Sequence, residues 1–140
     1  MKIITKAQIV SQNQFNNLRS WMGARKYTKY RNAWHMSLRK ELVPIEPQEK
    51  CHTLVIVSHR KRLLDKGNLY GGSKPVPDVL KMLGYIYDDR EAYLDEYCIQ
   101  VKDTDQYTEI YLIEGFPLRE KMEGFMSELL SSYENNCDKK

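Results

Sequence analysis

CHTLVIVS, residues 51–58, decides the fold: Leu54 to Val57 is apolar at every position, with no alternation. A strand that is apolar on both faces belongs in the middle of a sheet covered on two sides. Working outward, Lys2 to Val10 reads as a strand from its β-branched residues and partial alternation, and 11–16 (SQNQFN) as a polar connection. Asn17 to Leu42 reads as mostly helical. Tyr27, Tyr30, Trp34, Leu38 and Leu42 recur at three- and four-residue steps, and most Lys and Arg fall off that stripe. Gly23 weakens its first turns, and Pro44 and Pro47 close it, because proline supplies no amide hydrogen and clashes with the preceding turn. C-terminal to the central strand, a Gly-rich loop reaches Gly72. Lys74 to Leu83 is a short helix with Pro75 and Pro77 in its first turn and Gly84 as its stop. Glu96 to Lys102 and Tyr107 to Glu114 are predicted to pair as a hairpin turning at Asp103 to Gln106. Leu118, Met122, Phe125, Leu129 and Tyr133 mark a last amphipathic helix begun near Pro117. The order β-α-β-α-β-β plus a C-terminal helix predicts one α/β (α+β) domain over 1–140 with a mixed sheet of about four strands. In it, 117–134 is an added helix and 135–140 a polar tail.

With 41% hydrophobic and 29% charged residues, the composition is that of a soluble globular protein. The apolar run of MKIITKAQIV is broken by Thr5, Lys6 and Gln8. It is neither a signal-peptide core nor a membrane span, which predicts a cytoplasmic protein with no membrane partner. Cys51, Cys98 and Cys137 are far apart and form no CxxC pair, so reduced thiols are expected rather than disulfides or a zinc site. The three histidines share no metal-ligand spacing, and no Walker loop, nucleophile elbow or dinucleotide fingerprint occurs. Net charge is more telling. Residues 1–74 hold 15 Lys and Arg against 4 Asp and Glu, a net of +11, whereas 75–140 hold 7 against 15, a net of −8. A basic half suits a polyanionic partner, because each phosphate neutralised releases a condensed counterion. The plainer alternative is a solvated basic helix face.

The chemistry-bearing stretch is LDKGNLYGGSKPVPDVLKMLGYIYDD, residues 64–89. It places Asp65, Asn68, the glycines 67, 71 and 72, and Lys74 before the short helix, and Asp88-Asp89 after it. HRKR (His59 to Arg62) precedes it. Separated carboxylates with a Lys and flanking cations are what divalent-ion hydrolysis of a phosphodiester asks for: hard oxygens hold the ion and cations neutralise neighbouring phosphates. Taken singly the parts are ordinary. Asp88-Asp89-Arg90 reads equally as a polar turn, and the glycines equally as a tight surface loop. Lys74 stands where a helix N-terminus disfavours a cation, and Asp78 one turn on is a plain partner for it.

As a set, these residues resemble the signature of the RusA family of Holliday junction resolvases, the crossover junction endodeoxyribonucleases, especially its phage and prophage members. That pattern is an Asp-x-Asp-Asn-Leu segment, a Lys, an Asp at the next helical turn, an apolar Gly-containing helix end and a terminal Asp-Asp. The resemblance covers about residues 60–102, is fainter over Asn17 to Trp34, and leaves out the C-terminal helix. It implies a Mg²⁺-dependent endodeoxyribonuclease (Mn²⁺ as a substitute) acting on branched DNA in recombination and repair, as a homodimer whose two-fold axis matches paired cleavages. Asp65, Lys74 and Asp89 would be catalytic, with Asp65 and Asp89 ligating the metal and Asp88 the substitute ligand. Arg60, Lys61, Arg62, Asn68, Arg25, Lys26 and Lys29 would hold DNA. This chain departs from the pattern at the second Asp, where it has Gly67. Either Asp88 or Glu91 supplies the missing oxygen, or the protein is a weakened or inactive DNA-binding module of the same fold. A less favoured alternative is a protein–protein adaptor whose acidic half meets a basic partner.

Overall fold

The computed structural model describes residues 1–15, 21–117 and 119–137, with the side chains of 15, 21, 22, 136 and 137 left aside. The predicted helical segment 17–20 and Leu118 lie outside the described residues. The elements are β1 (Lys2–Thr5), a 3-10 turn (Gln12–Phe15), α1 (Trp21–Arg39), β2 (His52–Arg60), α2 (Lys66–Ser73), α3 (Pro75–Met82), β3 (Leu94–Lys102), β4 (Tyr107–Glu114) and α4 (Arg119–Cys137).

β2 is central, as its composition predicts. The sheet order is β1-β4-β2-β3, with β2 parallel to β3 and antiparallel to β4, and β1 antiparallel to β4. The predicted β3–β4 hairpin is not formed. The two strands are antiparallel, but β2 lies between them and takes the ladder bonds of both. The connection 103–106 crosses the end of β2, where the Asp103 amide donates to the Arg60 carbonyl at 2.9 Å. Two strand spacings are roughly 10 Å, within the reach of four residues.

Alternation along β2 builds two cores. Leu54 and Ile56 face α1 and α3 in a cluster with Trp34, Leu38, Val79 and Leu80, whereas Val55 and Val57 face α4 with Met122. The result is a three-layer α/β/α domain. Phe125, Leu129 and Tyr133 of α4 pack on the second cluster, which accounts for the periodicity read there. β1 is shorter than the predicted Lys2 to Val10. The Tyr30 hydroxyl accepts the Val10 amide at 3.1 Å and lies 2.9 Å from the Gly72 carbonyl, tying the chain after β1 to α1 and α2 instead.

The Gly-rich segment is a helix rather than a loop. Gly72 is required by close approach: a Cβ there would lie 1.8 Å from the Val10 carbonyl oxygen. Gly84 ends α3 with φ +88, the left-handed C′ conformation the sequence predicts. Cys51 and Cys98 are free thiols; the Cys137 side chain lies outside the described residues. Among the described residues no helix is long and apolar enough to cross a membrane.

Candidate nucleic-acid interface and acidic cleft

The signature run forms two nearly continuous helices and a return turn. Asp65 is the N-cap of α2: one carboxylate oxygen accepts the Asn68 amide at 2.9 Å and the other accepts the Asn68 side-chain amide at 2.6 Å. Those bonds hold the Asp65 carboxyl below its ordinary range. Capping is a complete structural reason for Asp65 and Asn68 to stand three residues apart. Gly67 lies beside them with space to spare, since an added Cβ would meet only the Asp65 carboxylate, at 3.7 Å.

Lys74 joins α2 to α3 in helical backbone conformation, φ −49 and ψ −37. It is therefore at the C-terminus of α2, which favours a cation, as well as the N-terminus of α3, which does not; the two effects, each about 0.3–1 kcal/mol, offset one another. Its ammonium lies 5.3 Å from the centroid of the Tyr27 ring, a cation–π contact. Asp78, the partner expected for Lys74, accepts instead from the Tyr27 hydroxyl. Burial, then Asp78, raises the Tyr27 pKa far above its ordinary value.

The twin acids after α3 have a cation of their own. Lys81 donates to Asp88 at 2.9 Å and to Asp89 at 3.3 Å. Asp88 also accepts from the Arg90 guanidinium and from the Asp89 amide at 2.8 Å, and these donors, Lys81 foremost, hold its carboxyl well below the ordinary range. Asp89 lines a cleft of about 510 Å³ with Tyr70, Glu91, Asp95, Glu96 and Phe116. Glu96 projects from β3 on the α2 side. Burial pushes its carboxyl up, and the neighbouring charges of Asp89, Asp78 and Asp95 add to that. The nearby Glu96 charge in turn raises the Tyr70 pKa.

Could this set hold Mg²⁺ or Mn²⁺? Both ions need several oxygens converging on one point. Among the described residues no group of three His, Cys, Asp or Glu side chains is placed to hold a metal ion. Asp65 is anchored near the far end of β3, because adjacent Leu64 exchanges two hydrogen bonds with the Gln100 side chain, at 2.9 and 2.7 Å. Asp89 shares its cleft with Glu96, four residues back along β3, roughly 13 Å at 3.3 Å per residue. Thus the expected set Asp65, Asp88 and Asp89 is not assembled: Asp65 caps a helix, Asp88 is taken by three donors, and Gly67 has no side chain. As placed, these residues do not fit a divalent ion.

The cationic run is divided. His59 points inward, buried at 1% side-chain exposure. Arg60 spends its guanidinium on the Arg62 and Ile9 carbonyls at 2.7 and 2.9 Å, fastening the chain after β1 to the end of β2. Of the four, Lys61 and Arg62 are exposed. On α1, Arg25, Lys26 and Lys29 are exposed as well, and Arg25 and Lys29 border a shallow groove of about 730 Å³ shared with Thr28, Asn32 and Met36. α1 contains five Lys and Arg and no acid.

His59 joins a buried cluster between the sheet and α4. Its Nδ1 faces Asp103 at 3.2 Å and its Nε2 faces Glu109 at 2.9 Å. Tyr107 stacks on the ring at 3.9 Å between centroids, Tyr133 meets it edge-on at 4.7 Å, and the Tyr133 hydroxyl donates to Glu109. Sequence reading missed this cluster, together with Lys81 and Glu96. A signal for His59 exists: it keeps the alternation of Val55 and Val57, so it had to face inward. Lys81 is seven residues from Asp88, two turns if the helix ran on, but Gly84 hides that relation. For Glu96 no local signal exists. No protein-family model matches the chain, and no curated protein shows significant similarity to it.

Proposed function

We propose that this chain binds branched DNA as a protein of the RusA resolvase kind, an endodeoxyribonuclease of recombination or repair acting in the cytoplasm as a homodimer. The observation that supports it most is α1, a 19-residue helix whose exposed face carries Arg25, Lys26 and Lys29 with no acid anywhere along it. Such a face meets phosphates rather than base edges, which suits recognition of DNA by shape. Lys61 and Arg62 extend the cationic surface at the end of β2, and the signature residues Asp65, Asn68, Lys74 and Asp89 supply the resemblance to a nuclease.

A second reading, a module that binds branched DNA without cutting it, is favoured by the carboxylates. Asp65 and Asp88 are committed to other groups, and Gly67 stands where the resemblance asks for an acid. Labelled four-way junctions incubated with and without Mg²⁺ or Mn²⁺ separate the two. Cleavage that depends on the ion and on Asp89 supports the enzyme, and binding without cleavage under either ion supports the module. Failure to bind junctions at low salt overturns both. Sedimentation of the free protein tests the dimer.

A further inference from the structure

Lys74 stands four residues before Asp78 at the start of α3, the spacing at which a cation and an acid meet on one helix face. They do not pair. Tyr27, an α1 residue with 9% of its surface exposed, takes both groups: its hydroxyl donates to the Asp78 carboxylate, and its ring centroid lies 5.3 Å from the Lys74 ammonium. Lys74 itself is exposed, and among the described residues its ammonium forms no ion pair. Packing alone does not ask for a tyrosine here, since a phenylalanine would fill the same space. What the hydroxyl adds is occupation of Asp78, at the cost of burying a phenol against a carboxylate. A phenol that donates to an anion also has a more electron-rich ring, which strengthens its hold on a cation.

We propose that Tyr27 is a positioning residue for Lys74: its hydroxyl occupies Asp78 and its ring carries the ammonium, so that the charge is presented to a phosphate oxygen instead of being neutralised one turn along its own helix. This rests on the nuclease reading, in which Lys74 faces the phosphate undergoing hydrolysis. The lysine side chain is long and flexible, and without such a rest its ammonium is drawn to the nearest carboxylate. α1 thereby has two roles. Arg25, Lys26 and Lys29 are exposed toward the DNA backbone, while Tyr27, on the inward stripe, fixes the group that meets the reacting phosphate.

The test combines Tyr27→Phe, which keeps the packing and removes the hydroxyl, with Asp78→Asn, which cannot form an ion pair. The first readout is nuclear magnetic resonance of the full chain, free of DNA and labelled with ¹³C at the lysine ε-carbons. The Lys74 ε-methylene signal, identified by its absence in Lys74→Arg, should lie upfield of the other lysines in the parent because of the Tyr27 ring current. Tyr27→Phe should lose most of that shift as the ammonium goes to Asp78, and adding Asp78→Asn should bring it back. Cleavage at saturating junction and Mg²⁺ should follow the same order: roughly fivefold slower in Tyr27→Phe, with junction affinity within about twofold of the parent, and recovered in the double variant. Urea unfolding separates this from a structural role, because Asp78→Asn cannot restore stability lost with the Tyr27–Asp78 bond. An unshifted Lys74 signal in the parent, a Tyr27→Phe signal like the parent's, or a loss that Asp78→Asn leaves in place overturns the proposal. So does cleavage by Tyr27→Phe at the parent rate. If the spectra follow the expected order and the parent cuts no junction, the nuclease reading falls and the placement of Lys74 by Tyr27 stands.

Discussion

Replacing His59 with alanine should cost roughly 3–5 kcal/mol of folding stability, the range for removing one partner of a buried charged network. The His59 ring is 1% exposed and lies between Asp103 and Glu109, whose side chains are 14% and 5% exposed. Without the imidazole, Glu109 loses a partner it cannot replace with bulk water, whereas Asp103 is partly exposed and keeps the Asp105 amide as a donor at 3.1 Å. Glu109 retains Lys2 at 3.2 Å and the Tyr133 hydroxyl, which places the loss toward the lower end. The stack on Tyr107 adds about 0.5–1.5 kcal/mol. Urea unfolding followed by circular dichroism measures this. With a slope of about 1–3 kcal/mol/M for a small domain, a loss near 3 kcal/mol lowers the midpoint by roughly 1–3 M at unchanged slope. Arg62→Ala is the control, within about 0.5 kcal/mol of the parent because its side chain is exposed. If His59→Ala costs less than about 1 kcal/mol and weakens DNA binding as much as Arg62→Ala, His59 belongs to the cationic run and the buried cluster is wrong.

Acid should find the same cluster. Burial pushes the Glu109 carboxyl up, but hydrogen bonds from Tyr133, His59 and Lys2 outweigh it and leave the pKa below the ordinary 4.5. A depressed carboxylate contributes stability above its unfolded pKa, so melting temperature should hold steady above about pH 5 and fall below 4.5, more steeply in the parent than in Glu109→Gln. Equal slopes in the two proteins would refute this. Gly72→Ala should destabilise by about 1–3 kcal/mol in thermal melts, because its Cβ would press on the Val10 carbonyl at 1.8 Å; a neutral result would mean that α2 is not packed there. Gly67→Asp should fold normally, since the site is open and its φ is not positive, and should raise Mn²⁺ affinity and any junction cleavage by returning the missing carboxylate. If the parent cleaves well and this variant changes nothing, another acid already fills the role.

Much of the architecture was legible because single residues decided it. Leu54 to Val57 could only be a doubly covered strand, and the prolines at 75 and 77 with Gly84 bounded α3. Two features were not legible, for physical reasons. A four-residue connection is as suitable for a tight hairpin as for stepping over one strand, and only competition for the edges of β2 decides between them. The glycines at 67, 71 and 72 have low helix propensity, about 1 kcal/mol each against alanine, so local preference argued for a loop. Tertiary packing overrode it, since Val10 needs the space that a Gly72 side chain would fill. At the site, the spacing of Asp65, Lys74 and Asp89 was readable, but which donors reach each carboxylate was not. Lys81 and Glu96 come from elements whose mutual placement exists only in the folded chain.

The α1 face as a phosphate-binding surface is what the DNA reading depends on most. Affinity for a four-way DNA junction, measured across a salt series for the parent and for Arg25→Ala, Lys26→Ala, Lys29→Ala combined, tests it directly. With about six phosphates engaged, the logarithm of affinity should fall against the logarithm of salt with a slope of roughly −5, and the triple variant should flatten that slope by about one for each phosphate it no longer neutralises. A flat response in the parent, or a triple variant that binds and responds to salt as the parent does, would contradict it.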